Sequence, residues 1–138
     1  MFGIDTPILH DARGKPYVGA DGVHISISHT DGWCLAAVGD CALGADIERI
    51  ADRPWERLAK RFFSPDEAAY AVTHERFYEI WCAKESYVKY TGEGFSRTFP
   101  GFCVLNVPLS FTHFSHDGCH IAICAPERAE KAPSVIDI

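Results

Sequence analysis

The sequence predicts an α+β fold in which an antiparallel sheet packs against one long helix and shorter ones. Three observations predict it. Strand patterns fill residues 23–50 and return after residue 101, with helical patterns between them. Phe77, Ile80, Trp81 and Val88 recur at helical spacing, and Gly92 stands where a left-handed C-terminal cap belongs. Asp31-Gly32 and His116-Asp117-Gly118 are turns that fold a strand back on its neighbour.

At 138 residues the chain is long enough for one domain, 1–138, with a core of its own. A 47% hydrophobic and 23% charged composition is that of an ordinary globular protein rather than a disordered one. No apolar run reaches the roughly 18–20 residues of a membrane span, so no membrane role is expected. Met1-Phe-Gly-Ile-Asp5 lacks the basic start and apolar run of a secretion signal. Cysteines 34, 41, 82, 103, 119 and 124 show no framework spacing and no Cys-x-x-Cys, so reduced thiols in a cytoplasmic protein are expected. The net charge of −6 argues against a general nucleic-acid binder. Residues 49–92 nevertheless hold 8 basic and 7 acidic residues, against 2 and 7 in residues 1–48. An acidic partner or a phosphate-bearing ligand would be drawn to that middle third.

Residues 1–22 form an extended, turn-rich lead-in, with Arg13-Gly-Lys-Pro16 as a turn. In residues 23–30, Val23, Ile25 and Ile27 alternate with His24, Ser26 and Ser28, a half-buried strand ending Ser28-His29-Thr30. That end reads either as a satisfied strand-end histidine or as a compact cluster of donors. Residues 33–39 are apolar throughout, as in a strand covered on both faces. Residues 41–50 form the next strand and put Asp46 and Glu48 on one face, about 6.5–7 Å apart along the chain. Two such carboxylates are either solvated at a strand end or hold a cation between them.

Arg53–Arg61 reads as a short helix with Pro54 in its first turn. Arg53, Arg57, Lys60 and Arg61 share one face, a solvated one or a dock for an acidic protein. Ser64-Pro-Asp-Glu67 is a capping box opening a helix over about 65–73. The long helix follows over 75–91 and stacks Trp81, Glu85 and Lys89 on one side, with Lys84 beside Glu85. Taken alone, Glu85 and Lys89 are a surface ion pair. Strands are expected at 102–107, 109–115 and 119–124, with a loose tail over 126–138. His113, His116, Cys119, His120 and Cys124 crowd the last hairpin, but their spacing matches no zinc finger or ribbon.

Three signals now stand in order: Ser28-His29-Thr30, Gly44-Ala-Asp46-Ile-Glu48, and Trp81-Cys-Ala-Lys84-Glu85-Ser-Tyr-Val-Lys89. The set resembles the 4′-phosphopantetheinyl transferases of the surfactin-synthetase-activating type. Arg61-Phe-Phe-Ser-Pro-Asp-Glu67 and Gly14-Lys-Pro16 resemble two further stretches of that family. The likeness covers about residues 13–125 and corresponds to the second half of the family's two-part core. It implies that phosphopantetheine passes from coenzyme A to a serine of an acyl- or peptidyl-carrier protein, releasing 3′,5′-ADP. It implies Mg²⁺, or Mn²⁺, on Asp46, Glu48 and Glu85. It implies Lys15, Ser28, His29, Lys84 and Lys89 on the coenzyme A phosphates, and catalysis by Glu85 and Lys89. The basic face at Arg53, Arg57, Lys60 and Arg61 would meet the carrier. With only one half matched, a trimer or dimer is expected, a neighbour standing in for the other half. The alternatives are a metal-dependent phosphohydrolase using the same acids and a degenerate, non-catalytic half that binds carrier or coenzyme A.

Overall fold

A computed structural model of the chain describes residues 6–94 and 99–127. The expected loose tail lies mostly outside the described residues, as do residues 1–5. Seven strands and three α-helices occur among those described: β1 Ile8–His10, β2 Pro16–Val18, β3 His24–Thr30, β4 Trp33–Gly39, β5 Gly44–Arg49, α1 Trp55–Phe62, α2 Pro65–Tyr70, α3 His74–Thr91, β6 Ser110–His116 and β7 Cys119–Ala125. The fold is the α+β arrangement expected.

Every strand pairing is antiparallel. β1 pairs β2, β3 pairs β4, and β5, β7 and β6 form a three-stranded sheet with β7 in the middle. Ile47, Cys119, Ile121 and Ile123 face one apolar core, which Ala37 and Leu43 complete. The other face lies against α3, whose Phe77 and Tyr78 anchor a second, aromatic core with α1 and α2. No helix among the described residues is long and apolar enough to cross a membrane.

Side chains join the two sheets where backbones cannot. β5 is an edge strand with the N–H groups of Ala45, Ile47 and Arg49 unpaired by β7. Alternate hydroxyls of β3 accept them: Ser26 Oγ from Ala45 N (2.9 Å), Ser28 Oγ from Ile47 N (3.3 Å) and Thr30 Oγ1 from Arg49 N (3.0 Å). Polar residues at a period of two thus serve as a hydrogen-bond ladder, satisfying an edge that would otherwise be buried unpaired.

On its other face β5 touches α3 backbone to backbone. A Cβ at Gly44 would overlap the Ser86 carbonyl oxygen and the Tyr90 amide nitrogen. Only glycine permits that approach, which brings the end of α3 onto the acidic strand.

The helix signals hold. Ser64 and Glu67 form the capping box, and Gly92 caps α3 at φ 70°. Four expectations need correction. α1 begins after Pro54, which is its N-cap rather than a first-turn residue. α2 stops at Tyr70, because Ala71 leaves helical geometry and Thr73 caps α3 by accepting from Arg76 N. β4 is covered on one face only; Val38 is 53% exposed, since a two-stranded sheet offers β4 a single apolar neighbour. Residues 102–107 hold a 3₁₀ turn, Val104–Asn106, instead of a strand. The Val104 N–H is taken by Glu67 Oε1 at 2.7 Å, leaving it no strand partner.

Candidate functional site

The site is built where β3, β5 and α3 converge. Asp46, 4% exposed, projects from β5 toward α3, and Glu48 lies two residues on along the same face. Lys89 reaches back from the last turn of α3 and donates to Asp46 Oδ1 (2.9 Å) and Ser28 Oγ (2.7 Å). Ser28 in turn donates to Asp46 Oδ1 (2.9 Å). Lys89 is therefore paired with Asp46, not with its helical neighbour Glu85. Asp46 Oδ2 is buried and has no hydrogen-bond partner. An orphaned carboxylate oxygen costs about 1–3 kcal/mol or more, so it needs an explanation.

Glu85, one turn before Lys89, faces the same acids. Burial, then repulsion from Asp46, pushes its carboxyl up to about 7, with Lys89 opposing and Glu48 adding to the rise. Burial and then Asp46 also raise Glu48, although Arg53 stands 3.9 Å from its Oε2. Three acids crowd one site with Lys89 among them and Arg53 at the edge beside Glu48, so the acids outnumber the cations.

That imbalance and the open Asp46 Oδ2 fit a divalent cation. Among the described residues no three His, Cys, Asp or Glu side chains already converge as a metal cage. Mg²⁺ asks for less, binding typically through one or two carboxylates completed by water and substrate phosphate oxygens.

Beside the acids opens a cleft of about 240 Å³ lined by Arg13, Lys15, Ile27, Glu85, Val88 and Lys89, among others. Lys15 enters it from the Gly14-Lys-Pro16 turn, and its Nζ donates to the Tyr90 carbonyl (2.8 Å). Burial lowers the Lys15 ammonium pKa, so an anionic partner would favour its charged form.

Several predicted residues stand elsewhere. Lys84 is fully buried. Its Nζ donates to both oxygens of Glu67 (3.0 and 2.8 Å) and to the Phe102 carbonyl (2.7 Å), with the Phe102 ring 4.1 Å away. All three ammonium protons are committed inside the protein, so the expected phosphate ligand at Lys84 is corrected to an internal tie. His29 is exposed, on the strand face opposite Ser28, and does not line the cleft. Of the basic face, Arg57, Lys60 and Arg61 are exposed on α1. Arg53 precedes α1 and turns toward Glu48 instead. His113 Nδ1 and His120 Nε2 pair with each other at 2.9 Å, while Cys119 is buried in the core on the far face of β7.

Glu67 is the residue that sequence reasoning undervalued. Beyond its cap it accepts from Lys84 and Val104 N, joining α2, α3 and the turn after Phe102. Nothing in Ser64–Glu67 signals that second role.

Residues 42–130 match the model of the 4′-phosphopantetheinyl transferase superfamily. A 4′-phosphopantetheinyl transferase of Bacillus subtilis is 35% identical over 124 residues, 85% of this chain and 51% of its own length. The 4′-phosphopantetheinyl transferase gsp of Aneurinibacillus migulanus is 37% identical over 87 residues, 59% of this chain and 36% of its own. The 4′-phosphopantetheinyl transferase AcpT of Escherichia coli O157:H7 is 30% identical over 128 residues, 86% of this chain and 66% of its own. The chain thus spans about half the length of the Bacillus relative.

Proposed function

The chain belongs to the 4′-phosphopantetheinyl transferase superfamily, and on that premise we propose that it transfers 4′-phosphopantetheine from coenzyme A to a serine of an acyl- or peptidyl-carrier protein. The observation that carries this reading is the Ser28–Asp46–Lys89 cluster beside the cleft, with Asp46 Oδ2 unpaired among three acids.

Asp46, Glu48 and Glu85 would hold Mg²⁺, or Mn²⁺, which when bound neutralises the diphosphate and the charge developing on the leaving group. Lys89 uses two protons on Asp46 and Ser28 and has a third for a phosphate oxygen. Lys15, across the cleft, serves the nucleotide end. Glu85 would receive the proton of the attacking serine hydroxyl, directly or through a metal-bound water; a bound cation would draw its carboxyl below the value of about 7 that burial and Asp46 give it in the metal-free site. The serine oxygen bonds the β-phosphorus, the bond to the bridging oxygen breaks, and 3′,5′-ADP leaves. Arg57, Lys60 and Arg61 offer an acidic carrier a steering surface on α1.

We place the reaction in the cytoplasm, where the six free cysteines persist as thiols. A second copy, in a dimer or trimer, supplies the cleft's other wall. Light scattering of an active sample at micromolar concentration tests that: a monomer rules it out. Intact mass of a carrier incubated with enzyme, coenzyme A and Mg²⁺ tests the reaction. A gain of one phosphopantetheine supports it, and consumption of coenzyme A without carrier loading points to hydrolysis instead.

A further inference from the structure

Ser28 stands at the strand end from which the resemblance aims side chains at phosphate. Its bonding leaves no capacity for that role. A serine hydroxyl has one proton and two lone pairs. The proton goes to Asp46 Oδ1 (2.9 Å). The lone pairs receive Lys89 Nζ (2.7 Å) and Ile47 N (3.3 Å). To hold a phosphate oxygen Ser28 would have to donate, and its only proton is spent inside the protein, where the residue is 5% exposed.

The same bonds sort the two oxygens of Asp46. Oδ1 accepts from Ser28 and from Lys89. Oδ2 is buried and accepts from nothing among the described residues. The neighbouring thiol of Cys82 directs its weak donor at the His120 carbonyl (3.7 Å). Ser28 is itself fixed by the Ile47 amide and by its place in the hydroxyl ladder with Ser26 and Thr30. The carboxylate is held with one oxygen closed and the other open.

We propose that Ser28 is a positioning residue for the cation site: it locks Asp46 by Oδ1 so that Oδ2 is the oxygen presented to the metal. This rests on the reading of Asp46 as a metal ligand, and extends it to the hydroxyl that orients the ligand. Outer hydrogen bonds of this kind set ligand geometry, and losing one typically costs about 10–100-fold in metal affinity.

Mn²⁺ alone, titrated into the full chain without coenzyme A and followed by the electron paramagnetic resonance of the free ion, is the direct test. Ser28→Ala is expected to weaken Mn²⁺ binding about tenfold or more, while coenzyme A affinity measured in EDTA stays at the wild-type value. Ser28→Thr, which keeps the hydroxyl, restores Mn²⁺ binding. If Ser28→Ala does not fold, the isosteric pair Ser28→Thr and Ser28→Val decides in its place. Unchanged Mn²⁺ affinity in the variant lacking the hydroxyl overturns the proposal. So does an equal loss in the alanine and threonine variants, or a loss of metal-free coenzyme A binding with Mn²⁺ affinity intact, which would restore Ser28 to the phosphates. A wild-type protein that loads carrier yet binds no Mn²⁺ either with or without coenzyme A removes the metal reading of Asp46, and Ser28's role with it. Mn²⁺ bound normally with no carrier loaded would instead count against the transferase reading alone.

Discussion

Replacing Lys84 with methionine should cost stability rather than substrate affinity. The side chain is fully buried, and its ammonium is the cation of a sealed ion pair with Glu67. Methionine keeps most of the aliphatic volume and removes the charge. Glu67 then retains the Ser64 and Val104 amides, at 2.8 and 2.7 Å, but no cation. Removing one partner of a buried pair typically costs about 3–5 kcal/mol. With an unfolding entropy of about 2.1 cal/mol/K per residue, a chain of 138 residues should melt roughly 10–17 °C lower. The double variant Lys84→Met/Glu67→Leu should recover part of that loss, because no buried charge is left alone. Urea titrations of the two singles and the double, together with KM for coenzyme A at a temperature where all are folded, make the assay. A loss under about 1 kcal/mol, against the buried-pair expectation, with a much raised KM for coenzyme A would refute the internal role and return Lys84 to the phosphates.

Proton competition at Glu85 gives a second prediction. A carboxyl near 7 must lose its proton to ligate, so Mn²⁺ affinity should be about tenfold lower at pH 6 than at pH 8. Glu85→Gln should abolish both that slope and transfer; a slope that survives assigns the proton elsewhere. His120 gives a third: burial, then the charge of His113, depresses it to about 4 from an ordinary 6.5. Unfolded histidine takes up its proton at a higher pH than the folded one, so stability present above 6.5 is lost as pH falls toward 4. Relative to His120→Gln, wild type should lose up to about 3 kcal/mol across that window by urea unfolding; equal losses would disprove it. Gly44→Ala should destabilise by about 3 kcal/mol or more, since backbone on α3 must move. A melting point within about 2 °C of wild type, equivalent to about 0.6 kcal/mol, would deny that β5 and α3 touch there.

What the sequence made legible was local. The spacing of Trp81, Glu85 and Lys89 and the alternation of Asp46 with Glu48 put the charged residues on the right faces, because helix and strand periods need no tertiary information. Ser28's partners were illegible: they depend on β3 lying beside β5 with Ser26, Ser28 and Thr30 opposite Ala45, Ile47 and Arg49. That register joins segments with no hairpin between them. Lys84 departs from its expected place for a different reason. Ile80, Lys84 and Val88 lie four apart, and all three are buried. Lys84 thus sits in the apolar stripe, a signal the sequence carried but that the motif's second lysine obscured. The one-sided cover of β4 is not legible either, since an apolar run does not say how many neighbours a sheet will offer it.

The most direct test is the intact mass of an apo carrier protein after incubation with coenzyme A, Mg²⁺ and either wild type or Asp46→Ala. Wild type is expected to add one phosphopantetheine to the carrier serine and release an equal amount of 3′,5′-ADP, and Asp46→Ala to add none. A carrier whose mass is unchanged by a folded, Mn²⁺-binding wild-type protein, across acyl- and peptidyl-carrier substrates, would contradict the transferase assignment.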